Sequence, residues 1–285
     1  MSSSAPLRYR MALDLGSTSL GWALFRLDAQ NTPTAIIKAG VRIFSDGRNP
    51  KDGSSLAVTR RAARAMRRRR DRLLKRKQRM QDKLIAYGFF PQDEAARKEL
   101  EQINPYDLRA KGLEQALTPS EFGRALFHIN QRRGFKSNRK TDKGENDASA
   151  LKSAINSLRA ELASYPLDAD KKKRLEPDAF DLLAWVNRKH ENTQNDQPRT
   201  VGELLAKRMA QGQPVRARYR ENKVLREDGK SKIEKSYDLY IDRQMIADEF
   251  DALWAKQASL NPALFTEAAR ADLRDTLLHQ RKLRP

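Results

Sequence analysis

The chain has 285 residues, of which 57 are Lys or Arg and 37 are Asp or Glu, so its formal net charge is +20. Such a basic balance makes a polyanion the expected partner, and the length suggests about two domains. The chain has no cysteine, which excludes disulfides and zinc fingers, and no apolar run is long enough to span a bilayer. We therefore expect an intracellular protein that does not interact with a membrane.

Three short strands are predicted at the start of the chain, at 9–15, 19–27 and 34–44. Their short connections favour an antiparallel meander that opens an α/β domain. Because three strands with an uncovered face would be marginally stable, we expect the remaining parts of that domain to lie elsewhere.

Asp14 lies near the end of the first strand, which we expect to be buried, and is followed by Gly16, Ser17 and Thr18. A carboxylate in a buried position is costly unless it binds a cation or a hydrogen-bond donor. It could be a Mg²⁺ ligand in a two-metal phosphodiester site. It could equally belong to the phosphate loop of an actin-like or sugar-kinase-like domain, or simply cap a turn. The motif by itself leaves these alternatives open.

A long helix is predicted within 54–90, after a loop rich in Gly, Pro, Asp and Asn. Either Ser54 or Ser55 can cap its start, and most residues that follow are good helix formers. Gly88 and Pro91 provide a stop signal.

This helix is unusually basic. From Arg60 to Lys83 there are 13 Lys or Arg and two acids, so this segment alone contributes +11. At 100° per residue its apolar side chains form one narrow stripe that can pack on a protein body. The members of that stripe are Ala62, Met66, Leu73, Met80 and Leu84.

The other faces of the basic helix require an anion. A solvated helix normally mixes charges of both signs, whereas like charges at i,i+4 repel. Arginine forks can hold a phosphate bidentately, so a nucleic-acid backbone is the favoured ligand. A solvated face, a nuclear localisation signal and a membrane-surface helix are the alternatives. The apolar stripe is thin and lacks Trp and Phe, which argues against the membrane surface.

The rest of the chain is predicted to be mainly helical. The sequence Thr-Pro-Ser-Glu at 118–121 is a capping box, followed by an apolar face of Phe122, Ala125, Leu126 and Ile129. A second capping box is predicted at 200–203. Further helices are predicted at 151–162, 178–189, 200–211, 242–257 and 266–280, with a connector at 137–149 and a polar segment at 214–240 that forms a strand pair or a loop. Core residues are expected at Ile246, Phe250, Leu253 and Trp254. The histidines His128, His190 and His279 lack metal-ligand spacing and are interpreted as structural.

Basic residues surround one aromatic residue, Phe135, where the helix after residue 118 is predicted to end. The segment could be a second phosphate or base contact. A basic C-terminal turn favoured by the helix dipole is an equally good explanation.

Taken together, these features resemble the Cas nine family of type II CRISPR effector endonucleases. The first segment of the family's RuvC-like domain is similar to the sequence R-Y-R-M-A-L-D-L-G-S-T-S-L-G-W-A-L-F. The family's bridge helix is similar to the sequence T-R-R-A-A-R-A-M-R-R-R-R-D-R. The stretches N-P-Y-D-L-R-A-K-G-L and G-R-A-L-F-H-I-N-Q-R-R-G-F-K-S-N resemble the recognition lobe of the compact subtype II-C. The likeness is strongest from about Tyr9 to Lys140.

The resemblance implies an incomplete RNase H-like RuvC sheet at 1–53, an Arg-rich bridge helix at 54–90 and a mainly α-helical recognition lobe at 91–285. Asp14 would be a catalytic carboxylate and a ligand of Mg²⁺, with Mn²⁺ as the alternative ion, in the site that cleaves the displaced DNA strand. The residues that would bind the guide RNA and the guide–target duplex are Arg60, Arg61, Arg64, Arg67, Arg68, Arg69, Arg70, Arg72, Arg76, Arg132, Arg133 and Lys136.

The function implied by the resemblance is RNA-guided cleavage of DNA in CRISPR antiviral defence. The partners would be a crRNA with a tracrRNA and the target DNA, bound by a monomeric protein in the bacterial cytoplasm. In the family, the other RuvC ligands, the HNH domain and the PAM-reading domain belong to later segments, so we expect a fragment that does not cut DNA alone.

Two alternative functions remain from the residues themselves. An actin-like or sugar-kinase-like nucleotide-binding protein predicts a second phosphate loop, which we do not find. A non-enzymatic basic RNA-binding protein would explain the charge but not Asp14 and its turn.

Overall fold

The computed structural model describes residues 7–135, 146–163, 165, 175–188, 197–225 and 231–280. The chain divides into two compact units, 1–71 and 72–285. This division falls inside the basic helix, whereas the predicted domain boundaries lie at its two ends. Within the described ranges, no helix combines the length and the apolar character that crossing a membrane requires.

The first unit contains a three-stranded antiparallel sheet in the order β1 (Tyr9–Leu15), β2 (Ser19–Leu27) and β3 (Pro33–Ile43). The predicted meander is confirmed, and β3 begins and ends one residue earlier than expected. The prediction that the strand bearing Asp14 is buried is wrong for this chain. All of β1 is exposed, including Leu13 and Leu15, because no other described element packs over it.

The basic helix, α1, runs over Leu56–Ala86. At its start the amide of Ala57 donates to Ser55 Oγ at 3.3 Å. It ends where Gly88 adopts a left-handed φ of 75°, which brings the amides of Phe89 and Phe90 onto the Leu84 carbonyl. A left-handed residue after the last turn is the usual helix stop, and glycine adopts it without steric cost.

The predicted apolar stripe of α1 is only half correct. Met80 and Leu84 are completely buried, whereas Met66 is 68% exposed and Leu73 is 38% exposed. The difference arises because the residues that pack against α1 are supplied by the second unit, and they meet only its C-terminal part.

The second unit is mainly helical. Its elements are α2 (Glu94–Glu99), a 3₁₀ turn (Leu100–Gln102), α3 (Pro105–Lys111), α4 (Pro119–Gln131), α5 (Asn146–Ala160), a 3₁₀ turn (Pro177–Ala179), α6 (Leu182–Asn187), α7 (Val201–Ala210), β4 (Arg218–Leu225), β5 (Ser231–Asp238), α8 (Arg243–Leu260) and α9 (Glu267–Leu278). The end of the predicted connector, at 146–149, is therefore helical. The polar segment forms the antiparallel pair β4–β5, which was one of its two predicted forms.

The two predicted capping boxes have different outcomes. The box at Thr118 and Glu121 is complete, with hydrogen bonds in both directions. At α7, Thr200 caps Glu203 as expected, but the Glu203 carboxylate accepts from the Arg199 amide and guanidinium instead of returning to Thr200. The nearby arginine thus competes successfully for the carboxylate.

The core of the second unit is built around aromatic rings. The Phe89 ring lies 5.1 Å from Phe122, 5.1 Å from Phe265 and 5.9 Å from Trp254, in tilted and edge-on arrangements. Such pairs stabilise beyond the apolar area that they bury. The predicted core faces of α4 and α8 are confirmed, since Phe122, Ala125, Leu126, Ile129, Ile246, Phe250, Leu253 and Trp254 are all buried.

A buried ion pair joins α3 to α8. Arg109 Nε and one terminal nitrogen each donate to a Glu249 carboxylate oxygen at 2.6 Å, and the Gly202 amide donates to the same group at 3.1 Å. The side chains of Arg109 and Glu249 are 1% and 0% exposed. This pair fixes α3, α7 and α8 relative to one another.

Candidate functional site

Asp14 lies near the end of β1, opposite Gly21 of β2. The turn that follows is closed by the Gly16 amide, which donates to the Ser19 carbonyl at 2.9 Å. The Asp14 carboxylate is exposed, and no described residue donates a hydrogen bond to it or pairs with it. A turn-capping role is therefore not supported, and the carboxylate is available to an external ligand.

A free carboxylate is the kind of oxygen donor that Mg²⁺ prefers. Among the residues that the structure describes, no three His, Asp or Glu side chains are close enough together to hold a metal ion. The donor set here thus contains one suitable ligand, Asp14, without the additional carboxylates that a two-metal site requires. The Mg²⁺ site stays a prediction.

The arginines in the first half of α1 are exposed and form no ion pair with any described residue. They occur at spacings of three and four residues, so several project from each face of the helix. The helix has no acidic residue in its first turn to offset them. The exposed members of the predicted set are Arg60, Arg61, Arg64, Arg67, Arg68, Arg69, Arg70 and Arg72.

Arg76 differs from these arginines because it is half-buried in the second unit. Its Nε is buried without a hydrogen-bond partner, and burial lowers the pKa of its guanidinium. It lines a pocket of about 580 Å³ together with Arg132 and Arg133, which follow α4. The structure thus brings together three predicted RNA-binding residues that two separate segments supply. Lys136 lies outside the described residues.

Sequence reasoning missed three further arginines that line this pocket, Arg109, Arg216 and Arg243. For Arg243 a signal was present, because it is the first residue of α8. A cation is unfavourable at a helix N-terminus, so an arginine there indicates a tertiary role. Arg216 lies in the polar segment before β4 and carried no comparable signal.

Positive charge also surrounds His128 of α4, which is 7% exposed and packs edge-on against Tyr106. Burial lowers the pKa of His128 to about 3, and the charges of Arg109, Arg132 and Arg124 contribute. His128 is thus a neutral structural residue, as the sequence indicated. His279 caps the end of α9, and His190 lies outside the described residues.

We expect the His128→Gln variant to lose less stability in acid than the parent chain. The pKa of His128 is 6.5 when unperturbed and about 3 when folded, so the unfolded state binds the extra proton and stability falls as pH decreases from about 6.5. The loss of stability that His128 causes approaches about 1.4 kcal/mol for each pH unit of decrease. Urea unfolding followed by helical ellipticity, from about pH 6.5 to pH 5, measures it. The exposed His279→Gln variant is the control, and parallel pH profiles for parent and His128→Gln would contradict the expectation.

The chain is similar in sequence to proteins of one class. No family model matches the chain. Over 166 residues, which are 54% of this chain and 16% of the relative, it is 34% identical to the CRISPR-associated endonuclease Cas9 of Campylobacter jejuni. Over 126 residues, 44% of this chain and 11% of the relative, it is 32% identical to the Cas9 of Staphylococcus aureus. The chain therefore aligns with only a small part of each relative.

Solved structures show the same fold. Campylobacter jejuni Cas9 in complex with sgRNA and target DNA matches with a TM-score of 0.51 at 22% identity, over 97% of this chain and 30% of that one. A St1Cas9 complex with sgRNA matches with a TM-score of 0.53 at 19% identity, over 96% of this chain and 26% of that one.

The fold and the sequence matches thus relate the chain to CRISPR-associated effector endonucleases. Within that class it resembles the type II effector Cas9, and the predicted resemblance is confirmed. The subtype stays a prediction.

Proposed function

We propose that this chain is part of an RNA-guided DNA endonuclease, in which it binds the guide RNA and supplies one metal-binding carboxylate. The observation that carries the proposal is the row of exposed arginines on α1 that pair with no described residue. The similarity to two Cas9 endonucleases supports it.

Each unit would have its own role. The sheet would be the first segment of an RNase H-like RuvC domain, α1 the bridge helix, and the rest of the second unit a recognition lobe of the II-C type. The guide would be a crRNA with a tracrRNA, and the second partner would be the target DNA. The protein would act as a monomer in the bacterial cytoplasm, with Mg²⁺ as its ion.

The chemistry of α1 suits a phosphate backbone. Guanidinium groups bind phosphate through two parallel hydrogen bonds and remain charged at any physiological pH. The arginines of α1 repel one another in the free helix, and phosphates would relieve that repulsion while releasing counterions. The gain from counterion release makes the affinity strongly dependent on salt.

Asp14 would hold Mg²⁺ through its carboxylate, and the bound ion would supply Lewis-acid stabilisation of the phosphodiester in the completed site. The Asp14 carboxylate is exposed near the end of β1 and pairs with no described residue, which supports this role. The actin-like alternative is not favoured, since the similar proteins are nucleic-acid enzymes. A purely RNA-binding protein would not use Asp14.

The experiment that tests the proposal measures binding of the full chain to its cognate guide RNA and to a scrambled RNA of equal length across a salt series. We expect a preference for the guide that persists near physiological salt. Replacing Arg64, Arg67 and Arg68 with Gln should weaken guide binding and reduce the slope of log K against log salt by about two to three.

The matched control removes three exposed basic residues that lie outside both α1 and the second unit: Lys38→Gln, Arg42→Gln and Lys51→Gln. This control lowers the net charge by the same amount but leaves α1 unchanged. It should therefore keep the preference for the guide RNA. Equal binding of both RNAs by the parent chain, vanishing together as salt rises, would reject guide recognition by this chain.

A further inference from the structure

The pocket beside Arg76 contains charge that its surroundings do not neutralise. Six arginines line it and no described carboxylate does. Among the described residues, the carboxylate partner found for these arginines is the buried Glu249, which pairs with Arg109. Its volume of about 580 Å³ lies within the range of about 300–1,000 Å³ typical of small-ligand sites.

Three of these arginines, Arg76, Arg133 and Arg243, are half-buried close together. Burial, with the charges of Arg243 and Arg76, lowers the pKa of Arg133 to about 10, and burial followed by the charge of Arg76 lowers that of Arg243. Three cations held this way destabilise one another, and an anion would relieve that strain.

Backbone carbonyls accept hydrogen bonds from only some of the guanidinium nitrogens of these three arginines. Arg133 donates to the Leu277 and His279 carbonyls at the end of α9, and Arg243 donates to Leu278 and Gly134. The end of a helix offers roughly half a negative charge, against three positive ones. The Nε atoms of Arg76 and Arg243 are buried without any partner. Capping of α9 therefore does not account for Arg76.

Aromatic rings form another wall of the same pocket. Phe135 and Tyr240 both line it, with ring centroids 5.3 Å apart. Phe135 is held in place by its backbone, since its amide donates to the Ile241 carbonyl and its carbonyl accepts from the Arg243 amide, each at 2.9 Å. It is nonetheless 38% exposed. A partly exposed aromatic ring on a fixed backbone, beside cations that pair with no described carboxylate, suits a flat ligand with a negative charge.

The turn that precedes Phe135 requires a glycine at position 134. Gly134 has a left-handed φ of 75°, and a side chain there would meet the Asp242 carbonyl oxygen at 2.4 Å. The chain therefore passes unusually close to the start of α8, which places Phe135 and Arg243 at one wall.

We propose that this pocket binds a single unpaired nucleotide of an RNA, with a phosphate on Arg76, Arg133 and Arg243 and its base against Phe135 and Tyr240. A paired base is stacked within its helix and cannot present its face to a protein ring, whereas an unpaired base can. The inference rests on the proposed function, because it takes RNA as the ligand, and it adds that the recognised feature is an unpaired nucleotide.

Two RNA probes test this inference with the full chain. One is a single strand of about twelve nucleotides containing 2-aminopurine, and the other is the fully paired duplex of the same sequence. Stacking of 2-aminopurine on an aromatic ring quenches its fluorescence. Binding to the parent chain should therefore quench the fluorescence of the single strand. Replacing both Phe135 and Tyr240 with Leu should remove this quenching and weaken single-strand binding roughly tenfold or more, while duplex binding is unchanged.

Matched variants separate stacking from charge and from misfolding. Tyr9→Leu changes an exposed tyrosine of β1, outside the pocket, and should leave both readouts as in the parent chain. Arg76→Gln removes a guanidinium that makes no hydrogen bond within the described structure, so the fold should tolerate it. It should weaken single-strand binding several-fold more than Arg188→Gln, which lies outside the pocket. Thermal unfolding of each variant checks that its fold is intact.

The outcomes distinguish this inference from the proposed function. If the aromatic substitutions leave quenching and single-strand affinity unchanged in a folded chain, the nucleotide pocket is wrong, although guide binding by α1 can still hold. If the variant at Arg64, Arg67 and Arg68 keeps full guide binding and the pocket variants lose single-strand binding, the pocket stands and the role of the exposed arginines in the first half of α1 fails.

Discussion

In the RNA-guided endonuclease that we propose, replacing Asp14 with alanine should abolish cleavage of one DNA strand while leaving the affinity for guide RNA unchanged. The carboxylate is exposed and contacts no described residue, so its removal should not disturb the sheet. Stabilisation of the transition state by a bound metal ion is worth several kcal/mol, so the rate for that strand should fall about a thousandfold or more.

The measurement uses a DNA duplex with a different label on each strand, cut by the guide-loaded enzyme in Mg²⁺. Asp46→Ala is the matched control. It removes another exposed aspartate of the same unit, which accepts a hydrogen bond from the Arg48 amide, and both strands should still be cut. A parallel loss of RNA affinity in Asp14→Ala would mean that the residue supports the fold, and the metal-ligand role would be wrong.

Replacing Glu249 with alanine should lower the free energy of unfolding of the helical unit by about 3–5 kcal/mol, the largest stability effect that we expect from a single substitution. The change leaves the Arg109 guanidinium buried without its carboxylate and removes the acceptor of the Gly202 amide. Breaking a buried pair from one side is far more costly than the pair is worth, because an uncompensated charge stays in the interior.

Urea unfolding followed by helical ellipticity provides the test. Glu267→Ala is the control, since that carboxylate is 77% exposed and its pair with Arg270 should contribute less than about 1 kcal/mol. The double variant Arg109→Met with Glu249→Leu removes both charges and should recover most of the stability lost by Glu249→Ala. If Glu249→Ala were as stable as Glu267→Ala, the buried pair would not be what fixes the three helices.

Local features of the fold were predictable. The three strands, the stop at Gly88 and the capping box at Thr118 depend on residues adjacent in the chain, and the structure confirms them. The basic character of α1 followed from local charge density, and the resemblance to the Cas nine family implied that its arginines bind RNA, which stays a prediction. The second box at Thr200 failed because Arg199 competes for Glu203, and sequence periodicity contains no information about such a competition.

The burial of α1 and of β1 was not predicted correctly, because burial depends on which partner packs against each face. The apolar stripe of α1 extends as far as Met66 in the sequence, yet only Met80 and Leu84 meet a core. Likewise the strand of Asp14 has the composition of a buried strand but is exposed here.

The sequence by itself determined the first three strands, most of the helices including the basic one, and the likeness to type II CRISPR effectors, because these follow from neighbouring residues and from motifs. Only the tertiary structure decided that Arg76, Arg133 and Arg243 share one pocket with Phe135 and Tyr240. These residues come from segments far apart in the chain. Their meeting depends on how α1, α4, α8 and α9 pack around one aromatic core, which no local pattern specifies.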